Sequence, residues 1–255
     1  MEENKKIGTD IIIDLDKVSY KESDFLKIGT FPTWLPSLDE MLGGGFRAGS
    51  LNVIASRPGM GKTSFALQIA GNLAAAGKHV MIFSLKVKKD SILQRYKKSY
   101  GVVPVWDTLC IDDAFYGNVG SILEKVSSLE QCDVVLIDDL QLLSDNSAKI
   151  DCIRTLKALA RLANIPVIVT SHLPRTRIEQ RNDHRPILSD LWITEMYADV
   201  VIFPFRESYY LEDSDEDSEL NETAELIVAK NRYGPTGAIP VHWNHEKMIV
   251  EEQDE

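Results

Sequence analysis

Ser56-Arg57-Pro58-Gly59-Met60-Gly61-Lys62-Thr63-Ser64 is the stretch that decides the fold. The apolar run Leu51-Asn52-Val53-Ile54-Ala55 feeds into it, and a run with helical character, Ser64 to Ala76, leads out. Strand, glycine-containing turn and Lys-Thr opening a helix together form a phosphate-binding loop. Backbone N–H groups of such a turn point at phosphate oxygens, and the helix N-terminus adds partial positive charge. Lys62 is placed to reach the β- and γ-phosphates, and the Thr63 hydroxyl to hold Mg²⁺. Ser56 stands where the motif has its first glycine. The competing reading is a chance Gly-Lys-Thr in a glycine-rich turn, and the flanking elements argue against it.

Upstream, Gly43-Gly44-Gly45 marks a turn just before the loop's strand. Residues 1–28 read as an N-terminal arm. Its Asp10-Ile11-Ile12-Ile13-Asp14-Leu15 suits either a strand docking on a neighbour or an edge strand of the same domain. Downstream, strands and helices alternate. His79 to Leu85, Asp133 to Asp138, Val167 to Thr170 and Ala198 to Phe203 read as strands. Asp90–Tyr100, Gly120–Leu129 and the stretch from Ile150 to Ala163 have helical spacing. Ala224–Lys230 and Ile239–Trp243 read as a terminal hairpin turning at Gly234-Pro235-Thr236-Gly237. This order predicts an α/β fold with a mostly parallel central sheet, helices on both faces and a C-terminal hairpin. The expected boundaries are 1–28 for the arm, 29–250 for one domain and 251–255 for an acidic, frayed tail.

The composition limits what the chain can do. With 44% hydrophobic and 26% charged residues over 255 positions, it is an ordinary globular sequence with one large core. A net charge of -11 excludes a protein that coats nucleic acid with its whole surface, so any such contact needs a local basic patch. Cys110, Cys132 and Cys152 have no metal-ligand spacing and read as buried small residues in a reducing compartment. No apolar run approaches a membrane span and the N-terminus lacks a signal segment, so a cytoplasmic protein without membrane contact is expected. Residues 212–225 hold eight carboxylates without the spacing of a calcium loop, and most of this stretch reads as a solvated loop.

Further residues carry candidate chemistry. Asp138 ends a strand beside the phosphate loop, where a carboxylate binds Mg²⁺ directly or through water, or else caps a turn. His172 ends the next strand, either sensing the γ-phosphate or making no ligand contact. Arg175, Arg177, Arg181 and Arg185 lie between Pro174 and Pro186. A flexible basic loop of this kind can follow the phosphates of a single strand, or it can be a solvated surface. Trp192 is near enough to stack on a base, although core packing is the expected role. Lys230 and Arg232 precede a tight turn, and in a ring such a turn can carry Arg232 into the nucleotide of the adjacent subunit.

Together these segments resemble the C-terminal, RecA-like motor domain of DnaB-type replicative helicases. The likeness rests on Ile28-Gly29-Thr30 with Leu38-Asp39, Arg57–Thr63, Ile82-Phe83-Ser84-Leu85, Ile111-Asp112-Asp113 and Leu136–Leu142. It continues through Leu156–Ala160, Glu179-Gln180-Arg181 with Arg185-Pro186, Ser189-Asp190-Leu191, Ala198-Asp199-Val200, and Lys230-Asn231-Arg232 with Gly234–Gly237. The resemblance implies a RecA-like P-loop NTPase core, ATP and Mg²⁺ as ligands, hexameric rings and translocation on single-stranded DNA. It assigns phosphate to Lys62, metal to Thr63 and Asp138, action in trans to Lys230 and Arg232, and DNA contact to the basic loop. A primase, loader or host helicase as partner is implied only by analogy.

The departures bear on activity. The family's Phe-Ser-Leu-Glu, whose Glu positions the attacking water, is Phe83-Ser84-Leu85-Lys86 here. A charged lysine cannot act as that base. His172 stands where the family has Gln, and Trp192-Ile193-Thr194-Glu195-Met196 replaces Arg-Glu-Ser-Gly. Three functions therefore compete. One is a working helicase motor in which Asp139 replaces the missing Glu. Another is a protein that binds ATP, hydrolyses it poorly and regulates or partners a helicase. The third, weakened by Gln141-Leu142 and Gly-Pro-Thr-Gly, is a KaiC- or RadA-like relative in signalling or recombination.

Overall fold

A computed structural model describes residues 29–101, 107–114, 118–143, 149–192, 194–210 and 223–253. The arm at 1–28 and most of the acidic stretch, including Glu212 to Glu222, lie outside the described residues. The core is a nine-stranded sheet in the order β11-β10-β9-β8-β3-β7-β6-β4-β5. Its parallel part comprises β3 (Leu51–Ser56), β4 (Val80–Ser84), β5 (Leu109–Asp112), β6 (Val134–Asp138), β7 (Val167–His172) and β8 (Val200–Phe205). Two short strands, β1 (Thr30–Phe31) and β2 (Phe46–Arg47), pair separately, with helix α1 (Pro36–Leu42) between them.

Every residue of β3, β4, β6 and β8 is buried, because helices cover both faces of the parallel sheet. Alternation persists inside these runs. Ile54, Ile82, Leu136 and Ile168 pack with Phe65, Ile69 and Leu73 of helix α2 (Lys62–Ala75) on one face. Val53, Phe83, Ile137 and Val169 pack with Ile153 and Leu156 on the other, where helices α4 (Val119–Ser127) and α5 (Lys149–Ala163) lie. Helix α3 (Lys89–Tyr100) sits on α2: the Tyr96 hydroxyl donates to the Leu67 carbonyl at 2.8 Å.

Two expectations are corrected at the C-terminus. The hairpin of β9 (Thr223–Asn231) and β10 (Gly237–Asn244) is joined by a third antiparallel strand, β11 (Ile249–Glu252). Glu251 and Glu252 therefore belong to the sheet rather than to a frayed tail, and Glu252 accepts hydrogen bonds from the Ser37 amide and hydroxyl at 2.9 and 2.8 Å. Glu225 lies in β9, within the strand expected over Ala224–Lys230. The cysteines differ too: only Cys152 is buried, Cys110 is exposed, and none of the three is in a disulfide.

The lower edge of the sheet is tied at Asp199, whose side chain is buried. Its carboxylate accepts from the Leu51 amide at 2.8 Å and pairs with Lys157 and, at 3.3 Å, with Arg232. Removing a buried carboxylate strands the cation it held. Asp199→Ala is expected to lower the unfolding free energy by about 3–5 kcal/mol in urea titrations; a loss under about 1 kcal/mol would mean that the buried pairs do not stabilise the fold.

Candidate active site

The phosphate loop leaves the C-terminal end of β3 and enters α2 through Gly61, whose φ of 89° lies in the left-handed region. A side chain there would also collide with the sheet's antiparallel wing, since a Cβ on Gly61 would sit 2.6 Å from the Trp243 ring. Gly59 is similarly confined, with a Cβ meeting Tyr209 at 2.9 Å. Pro58 and Gly59 are exposed at the crest, whereas Met60 and Lys62 turn inward. Ser56 is buried and lies opposite His172 in the sheet, and its carbonyl accepts from the Leu173 amide at 3.1 Å. Arg57 lies 3.7 Å from Glu179, and Ser64 occupies the first turn of α2.

Three strand ends converge on Asp138. The Thr63 hydroxyl donates to its Oδ1 at 3.0 Å, and the Thr170 hydroxyl donates to the same oxygen. The Lys62 ammonium is buried beside them. Burial lowers its pKa, the charges of Asp138 and Asp139 pull it back up, and the nearby Lys86 lowers it further. Thr63 and Asp138 thus present two oxygens at one point, a pair that could hold a hard divalent cation. Among the described residues, no group of three or more His, Cys, Asp or Glu converges to make a metal site of protein ligands alone.

Asp139 has its own partners. Its Oδ1 accepts from the Gln141 amide at 3.0 Å, and its Oδ2 lies 2.8 Å from His172 Nε2. Burial raises its pKa, but the His172 hydrogen bond and charge, the Gln141 amide and Lys62 outweigh that, and the net shift is downward. His172 Nδ1 is buried and meets no hydrogen-bond partner among the described residues. Gln141 clamps the histidine's backbone: its Oε1 accepts from the His172 amide at 3.1 Å, and its Nε2 donates to the Ser171 hydroxyl at 2.8 Å. Lys86 is exposed just past β4.

The remaining candidates lie elsewhere. Lys230 donates to the Glu195 carbonyl at 2.6 Å and Arg232 reaches Asp199, both beside the N-terminal end of β3. The phosphate loop is at the other end of that six-residue strand, about 17 Å away. These cations cannot serve this chain's own loop. The basic segment is more ordered than expected, with helix α6 (Arg175–Ile178) at its start. Arg181 pairs with Asp190 through two nitrogens, and Arg185 pairs with Glu225 in the same way, so both guanidinium groups are engaged internally. Arg175 is exposed and bound to Glu179 at 2.6 Å, and the Arg177 side chain lies outside the described residues. Trp192 is 73% exposed, against the expectation of core packing.

Residues without a role assigned from sequence also line the site. Thr170 anchors Asp138, Gln141 fixes His172, and Trp243 with Arg206 (5.4 Å from the indole centre) supports the loop from below. The threonine and glutamine positions have a sequence signal, being strand ends next to quoted motifs. Trp243 has none, because its contact with Gly61 spans most of the chain.

A parallel sheet with a phosphate loop after β3 and carboxylates after β6 defines a RecA-like P-loop domain. Residues 30–108 and 105–252 match the DnaB-like helicase C terminal domain, and the chain belongs to that family. It is 30% identical over 274 residues to the replicative DNA helicase DnaB of Geobacillus stearothermophilus, covering 92% of this chain and 59% of that protein. It is 33% identical over 247 residues to the replicative DNA helicase DnaC of Bacillus subtilis (strain 168), covering 82% of this chain and 53% of the relative. The chain thus spans a little over half the length of these relatives. A solved ATPase domain superposes with a TM-score of 0.78 at 28% identity, covering 89% of this chain and 92% of that one. A DnaB-like replicative helicase described with its primase interactions gives a TM-score of 0.77, also at 28% identity, over 89% of this chain and 62% of that chain. No helix among the described residues is long and apolar enough to cross a membrane.

The lowered Asp139 pKa has a stability consequence. Because folding favours the ionised carboxylate, its contribution is complete above the ordinary value near 4 and fades as pH falls through the lower folded value. The unfolding free energy of Asp139→Asn is therefore expected to fall less steeply than that of the unaltered protein between about pH 5 and pH 3. Parallel urea-midpoint curves would contradict this.

Proposed function

We propose that this chain is the motor domain of a DnaB-like helicase, binding ATP with Mg²⁺ and coupling its hydrolysis to movement along single-stranded DNA. The observation that carries the proposal is the 3.0 Å contact of Thr63 with Asp138 beside the buried Lys62. Loop amides and Lys62 hold the phosphates. Thr63 and Asp138 would hold Mg²⁺, which would supply positive charge to offset that of the phosphates. Asp139 is the acceptor for the proton of the attacking water, and His172 orients that carboxylate. Lys230 and Arg232, remote from their own loop, complete the site of a neighbouring copy, which supports assembly into a ring. Partner proteins of the primase kind are proposed only by likeness to the relative described with primase.

A second reading is favoured by Lys86, whose charge acts on Lys62 at the position where the family carries its water-positioning Glu. In it the domain holds ATP, turns it over poorly, and regulates or partners a helicase. Steady-state phosphate release with oligothymidine separates the two. The motor reading predicts turnover that DNA stimulates, Lys62→Ala abolishes by at least about 100-fold, and Asp139→Asn lowers by about 100- to 10,000-fold, the range for a lost general base. Nucleotide binding without turnover, with turnover appearing in Lys86→Glu, would replace it by the second reading.

A further inference from the structure

We infer that Trp192 is a stacking platform for an unpaired base of a single strand lying in the groove between the end of β7 and the Leu188–Leu191 turn. The inference rests on the reading that this domain binds single-stranded DNA. It goes beyond that reading by naming a contact to bases rather than to phosphates, on a residue outside the four arginines of the basic segment.

The observation is an indole that the fold displays instead of burying. Trp192 is 73% exposed, and its backbone has φ 51°, a region that large side chains seldom adopt. The turn that carries it is braced on both sides. Asp190, buried, accepts from Arg181 Nη1 at 3.2 Å and from the Ile187 amide at 2.9 Å. On the far side, Lys230 holds the Glu195 carbonyl of helix α7 (Thr194–Tyr197) at 2.6 Å. A ring on a braced turn loses little freedom when a ligand stacks on it.

Next to the ring is a groove of about 600 Å³ lined by Trp192, Leu191, Pro174, Leu173, Gln141 and His172. A lining that mixes apolar side chains with Gln141 and His172 suits a nucleobase, which has flat faces and a polar edge. The electrostatics suit its backbone. Although the chain carries a net charge of -11, the two ionisable lining residues are both paired: His172 with Asp139, and Asp190 with Arg181. Among the described residues the groove therefore offers no free carboxylate to repel a phosphate, and the exposed Arg175 follows Pro174 at its rim. The groove also adjoins the active site, since His172 and Gln141 belong to both. A base seated against Trp192 would lie beside the residue that holds Asp139.

The test is fluorescence anisotropy of labelled oligothymidine titrated with the full chain, at several salt concentrations. Trp192→Ala is expected to weaken binding about 5- to 150-fold, the range for one lost stacking contact. Trp192→Phe should keep most of the affinity. The slope of log affinity against log salt should be unchanged in both, because no phosphate contact is lost, whereas Arg175→Ala should reduce it. Unchanged affinity in Trp192→Ala overturns the inference and leaves the motor reading standing. If that variant instead loses only self-association in sedimentation, the face is a protein contact and the inference is again wrong. No oligothymidine binding by the unaltered chain would remove both this inference and the DNA reading.

Discussion

The carboxylate of Asp138 is the point on which the rest of the site depends. It is almost fully buried at the end of β6, and a buried charge without partners is costly. Thr63 from the helix after the phosphate loop and Thr170 from β7 both donate to it. Three neighbouring strand ends are thereby held in one arrangement. The sheet makes this possible, because β3, β7 and β6 are adjacent and parallel, so their C-terminal ends open on the same edge. The same constraint explains why the functional polar residues of these strands gather at their C-terminal ends.

Charge balance at this edge departs from what the family likeness implies. Lys62, whose pKa is lowered mainly by burial, stands between charges of both signs: Asp138 and Asp139 pull its pKa up and Lys86 pushes it down. Asp139 is not a free carboxylate, since it is ionised in contact with His172 and caps the turn at Gln141. His172, in place of Gln, thus holds that carboxylate, while Lys86, in place of Glu, acts on Lys62. At the opposite edge Asp199 plays the matching structural part, collecting Lys157, Arg232 and the Leu51 amide. The Arg232 side chain stays half exposed at that edge.

The parallel core was legible because its signals are local. Val134 to Asp138 and Leu51 to Ser56 are apolar runs bounded by turns, and Gly-Lys-Thr dictates the turn and helix after β3. Strand β5 was not, since Leu109–Asp112 is short and only one of its residues is buried. Strand β11 was masked by the acidic residues around it, although Gln68 exchanges hydrogen bonds with Val250 at 2.7 and 2.8 Å across the chain. Arg185 misled because its partner is distant in sequence, whereas Arg181 meets Asp190 only nine positions away. Nothing near Arg185 announces Glu225, and nothing near Trp192 announces that its turn faces outward. Residue type fixes what a side chain can do, while the fold decides which partner it meets.

Calorimetric titration of ATP into the chain, with Mg²⁺ and with the metal chelated, tests the Thr63–Asp138 pairing most directly. The arrangement predicts binding that Mg²⁺ strengthens at least about tenfold, or about 1.4 kcal/mol, and an Asp138→Asn variant in which that gain disappears while metal-free binding persists. Equal affinity with and without metal in the unaltered protein, or a metal effect that survives Asp138→Asn, would contradict it.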